Sequence, residues 1–284
     1  MMKRASTPYA FAAATASLVL AAVMSCSSSR QVKYTSLDWG SANVAAGRRL
    51  FVAVCAGCHG GDGSAKTAVA GVYVPAPRDL SKGIYRFRTT SSGTLPLRRD
   101  ILRTIAEGLP GTAMPAWKQQ LDQRQLMSLV LYLETLTPRF RDPDLKPEAD
   151  DVIVKPGAVH PPPLTRALLV RGRDVYRKLK CADCHGERGR GDGPAAKTAK
   201  NTDGTKSHVF DFTTGIYKGG HRPVDVYRTF MTGLDGTPMP SFADSLPTET
   251  DRWALVYYVL SLSRDRGLWF YLRYRPTWND PARP

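Results

Sequence analysis

The stretch Cys55-Ala56-Gly57-Cys58-His59 has a close counterpart later in the chain, at Cys181-Ala182-Asp183-Cys184-His185. The surrounding sequence repeats as well. Asp-Ile-Leu-Arg-Thr at 100–104 returns as Asp-Val-Tyr-Arg-Thr at 225–229, and Gly-Thr at 111–112 returns at 236–237 with the same offset. Self-similarity at a constant offset is the mark of repeated structural units. The sequence therefore predicts a duplicated domain, with one cysteine motif in each copy.

The pattern Cys-x-x-Cys-His is the attachment motif of c-type haem. Its two thiols bond to the haem vinyl groups, and the adjacent histidine ligates the iron as the proximal ligand. Zinc would need four Cys or His ligands in each copy, and the first copy has only the three of its motif. A thioredoxin-like dithiol would need alternating helices and strands, which the sequence does not show. We therefore predict two covalently bound haem c groups, attached through Cys55, Cys58, Cys181 and Cys184 and ligated by His59 and His185.

A methionine follows each motif at nearly the same distance. Met114 follows His59 and Met239 follows His185 at spacings that differ by a single position, both within the sequence Gly-Thr-x-Met-Pro. A thioether is a soft, neutral ligand that favours ferrous iron and raises the reduction potential. A single methionine would be assigned to core packing, as we assign Met127. Two methionines in matched loops predict that Met114 and Met239 are the sixth iron ligands.

The remaining pattern predicts an all-α chain with two tandem helical domains. In each copy a helix leads into the motif, a short helix starts near Asp100 or Asp225 as its N-cap, and an apolar helix closes the domain. The segment between the domains is rich in proline, which favours an extended, semi-rigid spacer. The predicted division is a lipoprotein-type signal peptide at 1–25, a tether at 26–42, the first domain at 43–137, a Pro-rich linker at 138–163, the second domain at 164–263 and an aromatic, basic tail at 264–284.

The N-terminus has the composition of an export signal. Lys3-Arg4 precedes an uncharged apolar stretch from Tyr9 to Met24, which is short for a membrane span. Ser25-Cys26 follows and resembles the lipobox of bacterial lipoproteins, although Met24 is an unusual residue there. Simple cleavage nearby and an uncleaved anchor are the alternatives. We predict a lipid anchor at Cys26 that holds the chain on the periplasmic side of a bacterial membrane.

The net charge of +15 favours an acidic partner or an anionic surface. Haem propionates would offset part of it. No face of interleaved basic and aromatic residues indicates nucleic-acid binding. The expected partners are thus a redox protein, acidic or part of a membrane respiratory complex, and the membrane itself through the lipid.

Both halves resemble class I cytochrome c domains, over about residues 45–135 and 165–263, and the whole resembles the di-haem members of that family. The resemblance implies the same haem and iron ligands in each half. It also implies that the first and last helices of each domain cross at Gly47 with Phe51, and at Gly172 with Tyr176.

In that family a proline carbonyl often accepts the proximal histidine's proton, a role open to Pro75 or Pro77. The second copy offers no proline between Pro194 and Pro223, so its acceptor stays open. Arg103 and its counterpart Arg228 could meet haem propionates or lie on an exposed helix face. The sequence also places two aromatic side chains as haem shields, Trp117 and Phe242.

We expect a carrier of single electrons with no small-molecule substrate and no enzymatic activity. A cytochrome subunit of a larger oxidoreductase, such as a molybdoenzyme or a terminal oxidase, is an alternative that the sequence does not separate from a free carrier. A di-haem peroxidase would need an open or displaceable iron ligand, and the two methionine loops argue against one. A dehydrogenase of the thiosulfate type would need a free cysteine ligand, and no mature cysteine is left for it.

Overall fold

The structure is a computed structural model that describes residues 32, 34, 37–155 and 159–263. The predicted signal peptide, Cys26 and the tail at 264–284 lie outside these residues. In the described part the regular elements are α-helices and 3-10 turns, with only two isolated β-bridges, so the all-α prediction is confirmed. No described helix combines the length and apolar character needed to cross a membrane. The helices are α1 Val44–Val54, α2 Ala56–His59, α3 Arg98–Glu107, α4 Gln123–Thr135, α5 Arg166–Lys178, α6 Cys181–His185, α7 Pro223–Thr232 and α8 Glu249–Ser261.

The helix starts follow from capping side chains. Asp122 caps α4 by accepting a hydrogen bond from Gln125 N at 2.8 Å, as an N-cap aspartate does. Asp100 was predicted to cap α3, and this is wrong. The helix begins earlier, and Asp100 occupies the third helical position, where its carboxylate accepts from Leu97 N at 3.2 Å. Asp225 does the same for Arg222 N at the start of α7, because a third-position carboxylate reaches back to the cap.

The first and last helices of each domain cross at a glycine, as the family resemblance implied. A Cβ atom at Gly47 would lie 1.9 Å from the carbonyl oxygen of Ser128, and one at Gly172 would lie 2.0 Å from that of Ala254. Only glycine allows the two backbones to approach so closely. Phe51 lies one turn later on α1 and is 1 % exposed. The crossing of α1 with α4, and of α5 with α8, thus sets where each cysteine motif emerges.

Each domain has its own apolar core around this crossing. In the first, Leu102, Leu126 and Val130 are fully buried. Met127 is 2 % exposed, so its assignment to core packing is confirmed. In the second, Val256 and Leu260 of α8 are fully buried against Tyr176 of α5.

The Pro-rich linker is packed, and the prediction of an extended spacer is wrong for its described residues. Pro138–Arg141 and Pro143–Leu145 are 3-10 turns. Leu145 O then accepts a hydrogen bond from Leu95 N at 2.9 Å, and Val154 N donates to Thr89 O at 3.2 Å. Val154 is itself buried in the core of the second domain. Proline composition predicted stiffness, but the apolar side chains between the prolines bury against both domains.

The domains contact each other through equivalent residues of the repeat. Ile84 Cγ2 lies 3.2 Å from the position that a Cβ atom would take at Gly236. Its counterpart Ile216 has Cγ2 3.1 Å from the corresponding position at Gly111. Each isoleucine therefore lies on the Gly-Thr-x-Met-Pro loop of the other domain. Reciprocal contacts of this kind define a two-fold interface, so the domains are related by a pseudo-two-fold axis.

One contact across the interface has no repeat equivalent. The Arg88 guanidinium is fully buried and donates to Asp235 Oδ1 at 2.7 Å and to Thr232 O at 2.8 Å. Pro110 and Gly220 occupy the equivalent positions, so the pair occurs once. Asp235 belongs to the Gly233–Pro240 loop that carries Met239. The pair therefore ties this loop to the first domain.

Candidate haem sites

Each cysteine motif lies where the first helix of its domain ends. Cys55 is the C-cap of α1, and α2 carries Cys58 and His59. In the second domain α5 ends near Leu179, and α6 starts at Cys181 after Lys180, whose φ of 56° turns the chain. The four cysteines are free thiols and none is in a disulfide. In each motif the two cysteines lie about one helical turn apart, and the histidine directly follows the second cysteine.

Burial keeps the leading thiol of each motif protonated. It raises the pKa of Cys55 to about 11, with a smaller contribution from Cys58. It raises the pKa of Cys181 to about 12. Redox-active dithiols have the opposite property, a lowered pKa that generates a thiolate. The environment of the motifs thus argues against the dithiol alternative.

Both motif histidines are oriented by a backbone carbonyl. His59 Nδ1 lies 2.9 Å from Arg78 O, and His185 Nδ1 lies 3.0 Å from Phe210 O. A carbonyl only accepts, so Nδ1 carries the proton in each ring and Nε2 keeps its lone pair. Burial lowers the pKa of both histidines. Each ring is therefore prepared as a neutral ligand through Nε2.

The proline expectation for this role is wrong. The acceptor in the first domain is Arg78, one residue after Pro77, and the acceptor in the second is Phe210. The separation between Arg78 and Phe210 is the same offset that relates Ile84 to Ile216. Every residue has a main-chain carbonyl, so the residue type did not indicate which residue would accept the histidine's hydrogen bond. The repeat offset was the signal that could have found both.

The two methionine loops are closed by the same hydrogen bonds. In the first, Thr112 Oγ1 donates to Leu109 O at 2.7 Å and accepts from Met114 N at 3.1 Å. In the second, Thr237 Oγ1 makes the equivalent bonds, at 2.7 Å to Leu234 O and 3.2 Å from Met239 N. The threonine of Gly-Thr-x-Met-Pro therefore holds the methionine backbone.

Each methionine loop is preceded by a glycine, because the backbone there adopts a conformation that other residues disfavour. Gly108 has φ of 67° and Gly233 has φ of 68°, a region that side chains disfavour. A Cβ atom would also lie 2.6 Å from Ala116 N in the first loop and 2.5 Å from Ser241 N in the second. The loop therefore folds back tightly on the end of the preceding helix.

In the second domain all four predicted haem residues line one cavity. It has a volume of about 970 Å³, and its wall includes Cys181, Cys184, His185 and Met239. Pockets for cofactors have volumes of roughly 300–1,000 Å³, so this one is large enough for a macrocycle. Tyr217, Phe230 and Leu255 supply apolar wall, and Phe242, predicted as a shield, also lines the cavity.

The residues present fit a covalently attached haem. The thiols are free, the histidine presents one unprotonated ring nitrogen, and the methionine lies on the wall of the same apolar cavity. The Phe212 ring stacks on His185 with centroids 4.2 Å apart and further restricts its orientation. Among the described residues no three His, Cys, Asp or Glu side chains converge as a metal-ion site would require.

Arg103 and Arg228 are each paired within their own domain. Arg228 is 5 % exposed and donates to Asp225 Oδ1 at 3.0 Å and to Gly219 O at 2.6 Å. Burial, with a smaller contribution from Arg103, lowers the pKa of Arg228 to about 10. Arg103 donates to Asp100 Oδ1 at 3.2 Å. Arg228 lies near the domain interface, so the alternative that it lies on an exposed helix face is wrong.

Comparison with known proteins gives two family matches in tandem. Residues 42–133 match the family described as cytochrome c oxidase, cbb3-type, subunit III. Residues 169–263 match the family described as cytochrome c. Among solved structures, the chain is similar to a chain of the Kuenenia stuttgartiensis reducing HAO-like protein complex, with 39 % identity and a TM-score of 0.73. The likeness covers 80 % of this chain and 100 % of that one. No curated protein matches significantly.

Proposed function

Because the chain belongs to the cytochrome c family, with two c-type domains in tandem, we propose that it is a di-haem electron carrier with His/Met ligation at both irons. Its cytochrome c domains indicate electron transfer. When bound, haem c supplies a one-electron ferric/ferrous couple. In this function the protein turns over no small-molecule substrate. It passes single electrons to or from a redox protein.

The observation that carries the proposal is the shared cavity of Cys181, Cys184, His185 and Met239. The chain's own residues have three tasks there. The Phe210 carbonyl keeps the proton on Nδ1 of His185, so that Nε2 is available. The Thr237 hydroxyl holds the backbone of Met239. The apolar wall limits water, which favours the less charged ferrous state.

The first domain supports the same assignment by its repeated local geometry. The bond between His59 and Arg78 is 2.9 Å long, against 3.0 Å for its second-domain counterpart. The bond between Thr112 and Met114 is 3.1 Å long, against 3.2 Å for its counterpart. His/Met ligation at both irons would leave no iron position for peroxide. This supports a carrier over a di-haem peroxidase.

The test is a count of haems and of sulfur-ligated irons in the purified holoprotein. The alkaline pyridine spectrum should give two haems per chain, and the near-infrared methionine-to-iron band of the oxidised protein should account for both. Met239→Ala should remove half of that band and create a carbon monoxide site. Met127→Leu, a change at a buried core methionine, should do neither. A wild type that binds carbon monoxide at one haem would refute His/Met ligation there.

A second candidate is a cytochrome subunit of a larger redox complex. It is favoured by the 39 % identity to a chain of the reducing HAO-like protein complex, because the likeness spans that whole chain. Native electrophoresis of gently solubilised membranes, followed by haem staining, separates the two. A single haem band near the mass of the chain supports a free carrier, and a heavy band that resists high salt supports a permanent subunit.

Anchoring and location are also part of the proposal. Lys3-Arg4, the apolar stretch and Ser25-Cys26 support export and lipid attachment at Cys26, which would hold the chain on the periplasmic side of a bacterial membrane. Attachment of c-type haem in an exported chain is consistent with this.

A further inference from the structure

Arg86 of the first domain reaches the cavity of the second. Its side chain lines the wall that also holds Cys181, His185 and Met239. Its Nε atom is shielded from solvent and has no hydrogen-bond partner. Its hydrogen bond to the second domain, from Nη2 to Asn201 Oδ1, is long at 3.5 Å. A guanidinium N–H that is shielded from solvent and has no acceptor is costly unless an anion or another acceptor meets it.

A second cation faces Arg86 from the other domain. Lys218 is related to Arg86 by the offset that relates Ile84 to Ile216, so the two are repeat equivalents brought together near the pseudo-two-fold axis. Burial, with a smaller contribution from Arg78, lowers the pKa of Arg86 to about 10. Burial also lowers the pKa of Lys218, with Arg86 as the second cause. Like charges at a partly buried interface repel each other and call for a counter-ion.

The described acids near the cavity do not supply that counter-ion. Asp203 is the acid that acts on Arg86, but it is exposed and its Oδ1 already accepts from Thr205 N and Oγ1. Asp79, also on the wall, accepts from Ser81. The basic residues on the wall are Arg78, Lys82, Arg86, Lys180, Lys206 and Lys218. The cavity thus combines an apolar interior with an excess of positive charge.

We propose that Arg86 and Lys218 form a carboxylate clamp across the domain interface, which holds the propionates of the haem attached at Cys181 and Cys184. The clamp deepens the proposed function and rests on it. A propionate carboxylate is the anion that haem brings into this cavity, and the planar guanidinium fork of arginine matches it in two hydrogen bonds. The first domain therefore helps to bind the second domain's haem.

The clamp has a direct consequence for the reduction potential. A cation close to a haem stabilises the ferrous state, which carries one positive charge less than the ferric state. A clamp that neutralises the propionates acts in the same direction. Removal of the Arg86 charge should therefore lower the potential of the second haem more than that of the first.

The experiment is a spectroelectrochemical titration of the holoprotein and of four variants. The wave of the second haem is identified as the one that Met239→Ala shifts. In Arg86→Gln the equilibrium constant for reduction of this haem should fall about tenfold, which is about 59 mV for one electron. Arg86→Lys should recover most of the shift. Arg49→Gln, which removes an exposed arginine of α1, is the matched control and should leave both waves in place.

A second readout follows the propionates themselves. Resonance Raman bands of propionate bending should move in Arg86→Gln and stay in the control. If the potential and these bands are both unchanged in Arg86→Gln, the clamp is refuted. If both haem waves fall equally, and fall equally in Arg49→Gln, the effect is one of net charge and the clamp is also refuted. A near-infrared methionine band that stays intact in Arg86→Gln shows that the proposed ligation survives whichever result is found.

Discussion

Removal of the Asp235 carboxylate should destabilise the protein, because this carboxylate is the counter-charge of a fully buried arginine across the domain interface. The carboxylate pairs with Arg88, whose side chain is 0 % exposed, and it is itself 17 % exposed. Asp235→Ala leaves the guanidinium buried without its counter-charge. Burial already lowers the pKa of Arg88 despite the attraction of Asp235, which shows that desolvation is the larger effect there.

The size of the expected loss in the free energy of unfolding depends on the hydrogen bonds that remain after the substitution. Breaking a buried ion pair on one side costs about 3–5 kcal/mol. Arg88 would still donate to the carbonyls of Ser91, Tyr85 and Thr232 at 3.1, 3.3 and 2.8 Å. We therefore expect a loss at the lower end, about 3 kcal/mol of the free energy of unfolding. Asp235→Asn keeps an acceptor and should cost about half as much, since charged hydrogen bonds are roughly twice as strong as neutral ones.

Removal of Arg88 should lower the free energy of unfolding by less than removal of Asp235. In Arg88→Met the partly exposed Asp235 still accepts from Ser92 Oγ at 2.6 Å and from Gly93 N at 3.1 Å. Water reaches the carboxylate as well, so about 1–2 kcal/mol is expected. The double variant should lose less than the two single losses combined, because no unpaired buried charge remains.

The assay is urea unfolding of the holoprotein, followed by far-ultraviolet circular dichroism and by haem absorbance. Asp244→Ala removes an exposed acid of the same domain and is the control for net charge. The reasoning fails if Asp235→Ala and Asp244→Ala unfold within about 0.5 kcal/mol of each other, which is the range of ordinary surface substitutions.

Four other outcomes are expected. Gly172→Ala should destabilise by about 3 kcal/mol through backbone overlap at the helix crossing, whereas Gly71→Ala, which has room for a Cβ, should unfold near the wild type. Thr237→Val should speed carbon monoxide binding to the reduced protein, because the Met239 loop loses two hydrogen bonds; unchanged kinetics would contradict this. Cys26→Ser should abolish incorporation of radiolabelled fatty acid and release the protein from the membrane, and equal release of both forms would remove the lipid anchor. The bimolecular electron-transfer rate with an acidic partner should fall as salt rises, since fields are screened beyond about 10 Å at 0.1 M; a flat rate would favour the permanent subunit.

The helical fold could be read from the sequence because its signals are local. The spacing of apolar residues in α4 and α8 reports on residues within a turn or two, whereas the glycines at the helix crossings were implied by the family resemblance. The repeat then supplied a second copy of every signal. The start of α3 was misplaced because a carboxylate favours both the cap and the third helical position, and Asp100 takes the latter.

The sequence predicted the side chains of the candidate site, but not the main-chain groups that orient them. Cysteine, histidine and methionine carry their chemistry in the residue type, so their spacing predicted where a haem would attach. The acceptors for His59 and His185 are main-chain carbonyls of Arg78 and Phe210, and any residue provides a carbonyl. No composition rule could select them.

The sequence by itself determined that the chain is a duplicated, helical cytochrome with two attachment motifs and two methionine loops, because these depend on residue types at short, repeated spacings. Only the tertiary structure decided how the copies meet. Arg88 and Asp235 lie in different copies of the repeat, and so do Arg86 and Lys218. Such pairs depend on the relative placement of two folded surfaces, and the linker that sets it packs against both domains instead of holding them apart. Charge in the sequence showed how basic the chain is, and the fold showed where that charge is buried without an acid.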